Sequence, residues 1–272
     1  MTEHEYTENW DSYPSPVDEE RIGFFFLDLG LVEIAPVADK PNLVRLRLNI
    51  LQPDDNGMPG AQEAAVLNEM EDSLVTTMAS QFNGIYSGRV TISKGALRSA
   101  TGVTEAERSF YFYLGKKVSG YEKALARVMA DYPDYKYESL LWKDPEWENY
   151  LEFMFPEPVQ LQSMQNRRVV YQLSQHGDLL TVPRPVEHWM NFKTQYDREA
   201  YWNAVNAKGF ELLEMVTDKE NEEGYPFSLH ITRDDKVDYD SIDECVLPLW
   251  GLAKEHNGNY DGWETGIVQG EE

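Results

Sequence analysis

One cysteine, Cys245, is all that 272 residues contain. A single thiol excludes an intrachain disulfide and any multi-cysteine zinc cluster. Bases are scarce as well: 24 lysines and arginines stand against 48 acids, a formal charge of -24. Such a surface repels nucleic acid and anionic lipid at long range and attracts basic partners. No apolar run approaches the roughly 20 residues that span a bilayer. Met1-Thr2-Glu3-His4-Glu5 offers neither the basic region nor the apolar core of a signal peptide. The expectation is a soluble cytoplasmic protein with no membrane partner.

Catalytic signatures are missing too. There is no Gly-x-Ser-x-Gly, no P-loop and no Gly-x-Gly-x-x-Gly. The five histidines, at 4, 176, 188, 230 and 256, fall in no paired metal-binding spacing, which argues against a metal site. Cys245 lies on the apolar side of an expected helix, where a small buried hydrophobe is a better reading than a nucleophile. Carboxylates are so abundant that no pair of them is informative. The reading is non-enzymatic, with no catalytic residue, cofactor or metal ligand assigned.

What is present suits two compact domains: 272 residues, 42% hydrophobic and 12% aromatic. Residues 1–21 are polar, contain Pro14 and Pro16, and read as an extended arm. Phe24 to Leu31 reads as a strand buried on both faces. From Leu43 to Leu51, Val44, Leu46, Leu48 and Ile50 alternate with Arg45, Arg47 and Asn49, the pattern of a half-buried strand. Ala61 to Ser80 is an amphipathic helix closed by Asn83-Gly84. Ile85–Ser93 and Glu107–Leu114 read as strands, Tyr121–Ala130 as a helix and Tyr135–Trp142 as a strand. Lys143 to Pro158, with three prolines and a run of aromatics, is a composition break. It divides the chain into an N-terminal domain at 1–155 and a second at 156–272.

The second half opens with a helix, Val159–His176. Strand Val186–Phe192, helix Thr194–Ala207 and strands Phe210–Val216 and Tyr225–Thr232 follow. A helix N-capped by Asp240 leads to a closing strand. Both halves thus run strand, helix, strand, strand, helix, strand. That recurrence predicts an α+β protein of two tandem ferredoxin-like (split β-α-β) domains, antiparallel sheets with helices on one face.

The closing strand, Asn259-Tyr260-Asp261-Gly262-Trp263-Glu264-Thr265, interleaves two rings with two acids, and Gly262 lets it bend. Packing rings with solvated acids is the plainer reading; a recognition surface is the sharper one. His176, Asp178 and His188 are weighed as structural, with Asp178 bonding backbone N–H groups at a turn. Trp189 and Trp263 are both expected to be substantially buried. In the first domain, Arg45 and Arg47 lie beside the alternating aromatics of Ser109-Phe110-Tyr111-Phe112-Tyr113-Leu114, as base stacking needs. That segment lacks the basic and glycine residues of the RNA-recognition motif. The face is therefore expected to be covered by the Phe-rich strand, the linker aromatics or the other domain.

Tyr260-Asp261-Gly262-Trp263-Glu264-Thr265, Gln175-His176-Gly177-Asp178 and Arg184-Pro185-Val186-Glu187-His188-Trp189 resemble, in order, the motifs of the regulator of ribonuclease E activity B family. The resemblance spans about residues 160 to 268. The N-terminal half is similar to a separate bacterial domain of uncharacterised function. Trp10-Asp11-Ser12-Tyr13-Pro14, Phe26-Leu27-Asp28-Leu29-Gly30-Leu31 and Phe110-Tyr111-Phe112-Tyr113 carry that likeness. The first resemblance implies a non-enzymatic regulator of RNA turnover that binds the arginine-rich, disordered scaffold of ribonuclease E, without direct nucleic-acid binding. An acidic rigid domain suits such a partner. Glu220, Glu222, Glu223, Asp261, Trp263 and Glu264 are the candidate protein-binding residues. The alternative is a small-molecule-binding sensor using a ferredoxin-like sheet or an interdomain cleft.

Overall fold

Along strand β3 (Asn42–Asn49), Val44, Leu46 and Leu48 are fully buried while Arg45 and Arg47 are only half-buried, as alternation requires. The computed structural model describes residues 6–94, 105–218 and 224–270. The chain divides into two compact units, Met1–Pro156 and Glu157–Glu272.

In the first unit β3 lies inside a six-stranded antiparallel sheet. Its other strands are β1 (Trp10–Pro16), β2 (Arg21–Asp28), β4 (Ile85–Lys94), β5 (Glu105–Leu114) and β6 (Tyr137–Lys143), in the order β1-β2-β4-β5-β3-β6. Leaving out the β1-β2 hairpin, the remaining four take the fourth-first-third-second order of a split β-α-β sheet. Helices α1 (Ala61–Phe82) and α2 (Tyr121–Met129) cover one face. Leu67, Met70, Leu74 and Met78 recur at helical spacing and meet Val44, Leu46, Phe110 and Phe112 there. Asn83 ends α1 in the left-handed conformation at φ 49° and returns its N–H to the Met78 carbonyl.

The opposite face is sealed by the proline-rich segment. Trp147 stacks on Tyr113 at 3.8 Å between centroids, and its Nε1 donates to the Lys40 carbonyl. A π-helical turn, Asn149–Met154, brings Tyr150 to the Asp28 carbonyl and sets Phe153 edge-on to Phe25 and Tyr111. At the margin Glu138 pairs with Arg47 at 2.6 Å. The aromatic face that could have stacked bases is covered by the linker aromatics.

The second unit begins with α3 (Pro158–Gln175), whose first turn is closed by a Glu157/Gln160 capping box. Then come β7 (Arg184–Phe192), α4 (Gln195–Asn206), β8 (Glu211–Thr217), β9 (Phe227–Asp235), α5 (Tyr239–Glu255) and β10 (Gly258–Thr265). The sheet order β10-β7-β9-β8 is again fourth-first-third-second, antiparallel throughout. α4 and α5 pack on one face, and α3 lies against α5.

Four local expectations change. The N-terminal arm is an edge strand from Trp10, because β1 pairs only with β2 and an edge tolerates Pro14 and Pro16. The strand expected to run to Leu31 ends at Asp28, where a 3-10 turn, Leu29–Glu33, begins. The cap of α5 is Asp238, which accepts the Ser241 N–H, rather than Asp240. Helices on a single face describe α1 and α2, but the π-helical turn occupies the other side of that sheet.

Candidate functional site

Val186, His188, Met190 and Phe192 share one parity on β7 and are all fully buried toward α4 and α5. Glu187, Trp189 and Asn191 therefore face outward. Trp189 pairs across the sheet with His230, and their rings stack at 4.3 Å and 19°. His230 Nε2 lies 2.8 Å from the Glu187 carboxylate. Register extends this pair into rows. Gly262, Trp189, His230 and Glu214 form one; Glu264, Glu187, Thr232 and Glu211 form the next. No lysine or arginine stands in either row, and Glu211, Glu214 and Glu264 are exposed.

Gly262 has a specific part here. The register slips between Tyr260 and Gly262, and φ at Gly262 is 146°, a backbone that other residues rarely adopt. The bulge leaves Asp261 exposed and removes any side chain from the flank of Trp189. The result is an aromatic-imidazole stack rimmed by carboxylates on the outer sheet face. Such a surface can take a guanidinium against the indole and pair it with acids.

Of the residues singled out from sequence, Asp261 and Glu264 are exposed on β10. Trp263 is 8% exposed and belongs to the core, and its Nε1 donates to Asn166 Oδ1 of α3 at 3.0 Å. Glu220, Glu222 and Glu223 lie outside the described residues. Trp189 was expected in the core; it is half-buried on the outer face, and His188 takes the inward position. The parity that decides this is legible in Val186, Met190 and Phe192. Asp178 also differs from expectation. Rather than capping nearby backbone, it takes both terminal nitrogens of Arg184, at 2.7 and 2.6 Å, and the Val268 N–H at 2.8 Å. Burial alone would raise the Asp178 pKa, but these hydrogen bonds and the Arg184 charge hold it below the usual carboxylate range.

The lone thiol is buried. Burial, with Asp235 adding to it and Arg233 opposing, pushes Cys245 up to about 12. Its neighbour His188 is held at about 4, chiefly by burial. In the first unit Arg89 is taken up by Glu71 at 2.5 Å and lies over the Phe26 ring, beside the Trp10–Tyr86 stack.

Residues 8–155 match the family described as Family of unknown function (DUF695), more than half of the chain. The chain belongs to the DUF695 family. Residues 163–265 match Regulator of ribonuclease activity B, so a second family follows the DUF695 unit in the same chain. That second family is one of regulators rather than enzymes. No curated protein matches. Among solved structures, an unknown protein from Galdieria sulphuraria is similar at 9% identity, covering 81% of this chain and 96% of that one, with a TM-score of 0.23. A putative glycine cleavage system transcriptional repressor is similar at 8%, covering 85% and 98%, with a TM-score of 0.21. Likeness at these scores carries no inference about the DUF695 chain. Among the described residues no helix is long and apolar enough to cross a membrane.

Proposed function

We propose that the second unit regulates RNA turnover by holding a basic, flexible protein segment on its outer sheet face, with no chemistry of its own. The match of residues 163–265 to Regulator of ribonuclease activity B carries this reading. The acid-rimmed Trp189–His230 stack supplies a physical basis for it. The arginine-rich scaffold of ribonuclease E is the partner that the family resemblance implies. An arginine on Trp189 gains cation–π attraction, while Glu187, Glu214 and Glu264 offer charge-assisted bonds. Asp261, together with Glu220, Glu222 and Glu223, adds to the acidic field that draws the segment in.

A titration of the full chain with an arginine-rich scaffold peptide tests this. Trp189→Ala is expected to weaken the complex by roughly 1 kcal/mol, about fivefold. Joint neutralisation of Glu220, Glu222 and Glu223 should slow association and flatten its salt dependence. No complex at low salt, or equal affinity with Trp189 removed, overturns the reading.

A further inference from the structure

Beneath the outer face, three elements bring together residues far apart in sequence. His188 comes from β7, Asp235 from the end of β9 and Cys245 from α5, and one ligand atom from each lies within 4.8 Å of the others. Cys245 Sγ is 3.8 Å from His188 Nε2 and 3.5 Å from Asp235 Oδ2. A tetrahedral zinc ion, with a Zn–S bond of about 2.3 Å and Zn–N or Zn–O bonds near 2.0–2.1 Å, sets its ligand atoms roughly 3.3–3.6 Å apart. The two sulfur separations need only tenths of an ångström of adjustment to enclose such an ion, and the imidazole and carboxylate, within 4.8 Å of each other, close by up to about 1.5 Å through side-chain rotation at the partly exposed Asp235.

We propose that His188, Asp235 and Cys245 form a binding site for a zinc-class divalent metal. The donor set favours this class: an imidazole and a thiolate suit zinc, and an added carboxylate is a common third ligand. The surroundings support the ligands. His188 Nδ1 lies 2.8 Å from the Tyr260 hydroxyl. When Nδ1–H donates to that oxygen, Nε2 turns its lone pair toward the thiol and the ion. Arg233 grips Asp235 through Nε and Nη2 at 2.8 and 3.0 Å, and Nη2 also lies 3.5 Å from Sγ. These hydrogen bonds fix the orientation of the Asp235 carboxylate toward the thiol. His188 and Cys245 are buried, whereas Asp235 is partly open to solvent, the side from which an ion and a water as fourth ligand enter. On binding, the Cys245 S–H bond breaks, a sulfur–metal bond forms, and the proton leaves to solvent. No redox partner is required.

The ion would cross-link α5 to the two central strands directly behind Trp189. The proposal is independent of what docks on the outer face. Cobalt(II) titration of the full metal-stripped chain tests it. One equivalent should give the tetrahedral d–d bands and a thiolate-to-cobalt charge-transfer band, displaced by zinc, and zinc should raise the thermal midpoint. Cys245→Ser, close in volume, should abolish the charge-transfer band, and Asp235→Asn, at a partly exposed position, should weaken zinc binding at least tenfold. Circular dichroism identifies a variant that has lost its fold, in which case the other decides. The absence of a charge-transfer band in the parent overturns the site, as does zinc affinity unchanged in the folded variants.

Discussion

At the scale of single residues, two tryptophans separated by parity divide structure from recognition. Trp263 fills the core and bonds Asn166, which in turn donates to Asp243 on α5 at 2.7 Å. Trp263→Ala should cost about 3–5 kcal/mol in chemical denaturation, as large buried rings do. Trp189→Ala should cost far less, because that ring is half in water. Equal losses from the two would place Trp189 in the core. The buried pair Asp178–Arg184, with side chains 0% and 5% exposed, behaves differently again. Asp178→Asn leaves a buried guanidinium uncompensated and should cost about 3–5 kcal/mol. Its pH dependence has a definite sign. The folded-state pKa lies below the ordinary carboxylate value of 3.8, so the unfolded chain takes up the proton first as pH falls. The contribution is complete above the unfolded value and lost as pH drops through the folded one. Denaturation of parent and variant between neutral and acid pH should show the parent losing more stability at the acid end.

At the scale of elements, the segment between the last strand of the first unit and α3 is a lid, not a linker. Asp144 accepts from the Tyr113 hydroxyl at 2.6 Å and from the backbone N–H groups of Glu148 and Asn149, pinning the π-helical turn at its start. Trp147, Tyr150 and Met154 of this segment are themselves fully buried. Truncating the indole of Trp147 should therefore cost about 3–5 kcal/mol, and so should removing a core ring such as Phe112. A melt of Trp147→Ala indistinguishable from the parent would show the lid to be dispensable. The same packing explains why alternating aromatics beside arginines need not signal nucleic acid: those faces pair internally with Trp147, Phe153 and Glu138.

At the scale of the molecule, an excess of 24 negative charges makes self-repulsion the dominant long-range term. Screening shortens from about 30 Å at 0.01 M salt to about 8 Å at 0.15 M. The thermal midpoint should accordingly rise over that interval in a non-binding salt such as sodium chloride. A midpoint that falls would mean that attractive ion pairs, such as Arg47–Glu138, outweigh the net repulsion.

Local chemistry alone determined much of this protein. Period-2 and period-3.6 patterns placed most strands and helices, since burying one face forces those periods, and their recurrence carried the split β-α-β order. Motifs of residues 175–189 and 260–265 carried the regulator resemblance. Tertiary structure decided what parity leaves open. Only the assembled sheet set the outward Trp189 against His230, and only strand pairing turned the proline-containing arm into β1. Asp178 found Arg184 and Val268 through chain reversal, which no local pattern encodes. Likewise His188, Asp235 and Cys245 sit 47 and 10 residues apart, outside any metal-ligand spacing, and meet because β7 and β9 are neighbours under α5. Spacing rules read ligands that share one turn or helix; ligands drawn from three separate elements are visible only once those elements are packed.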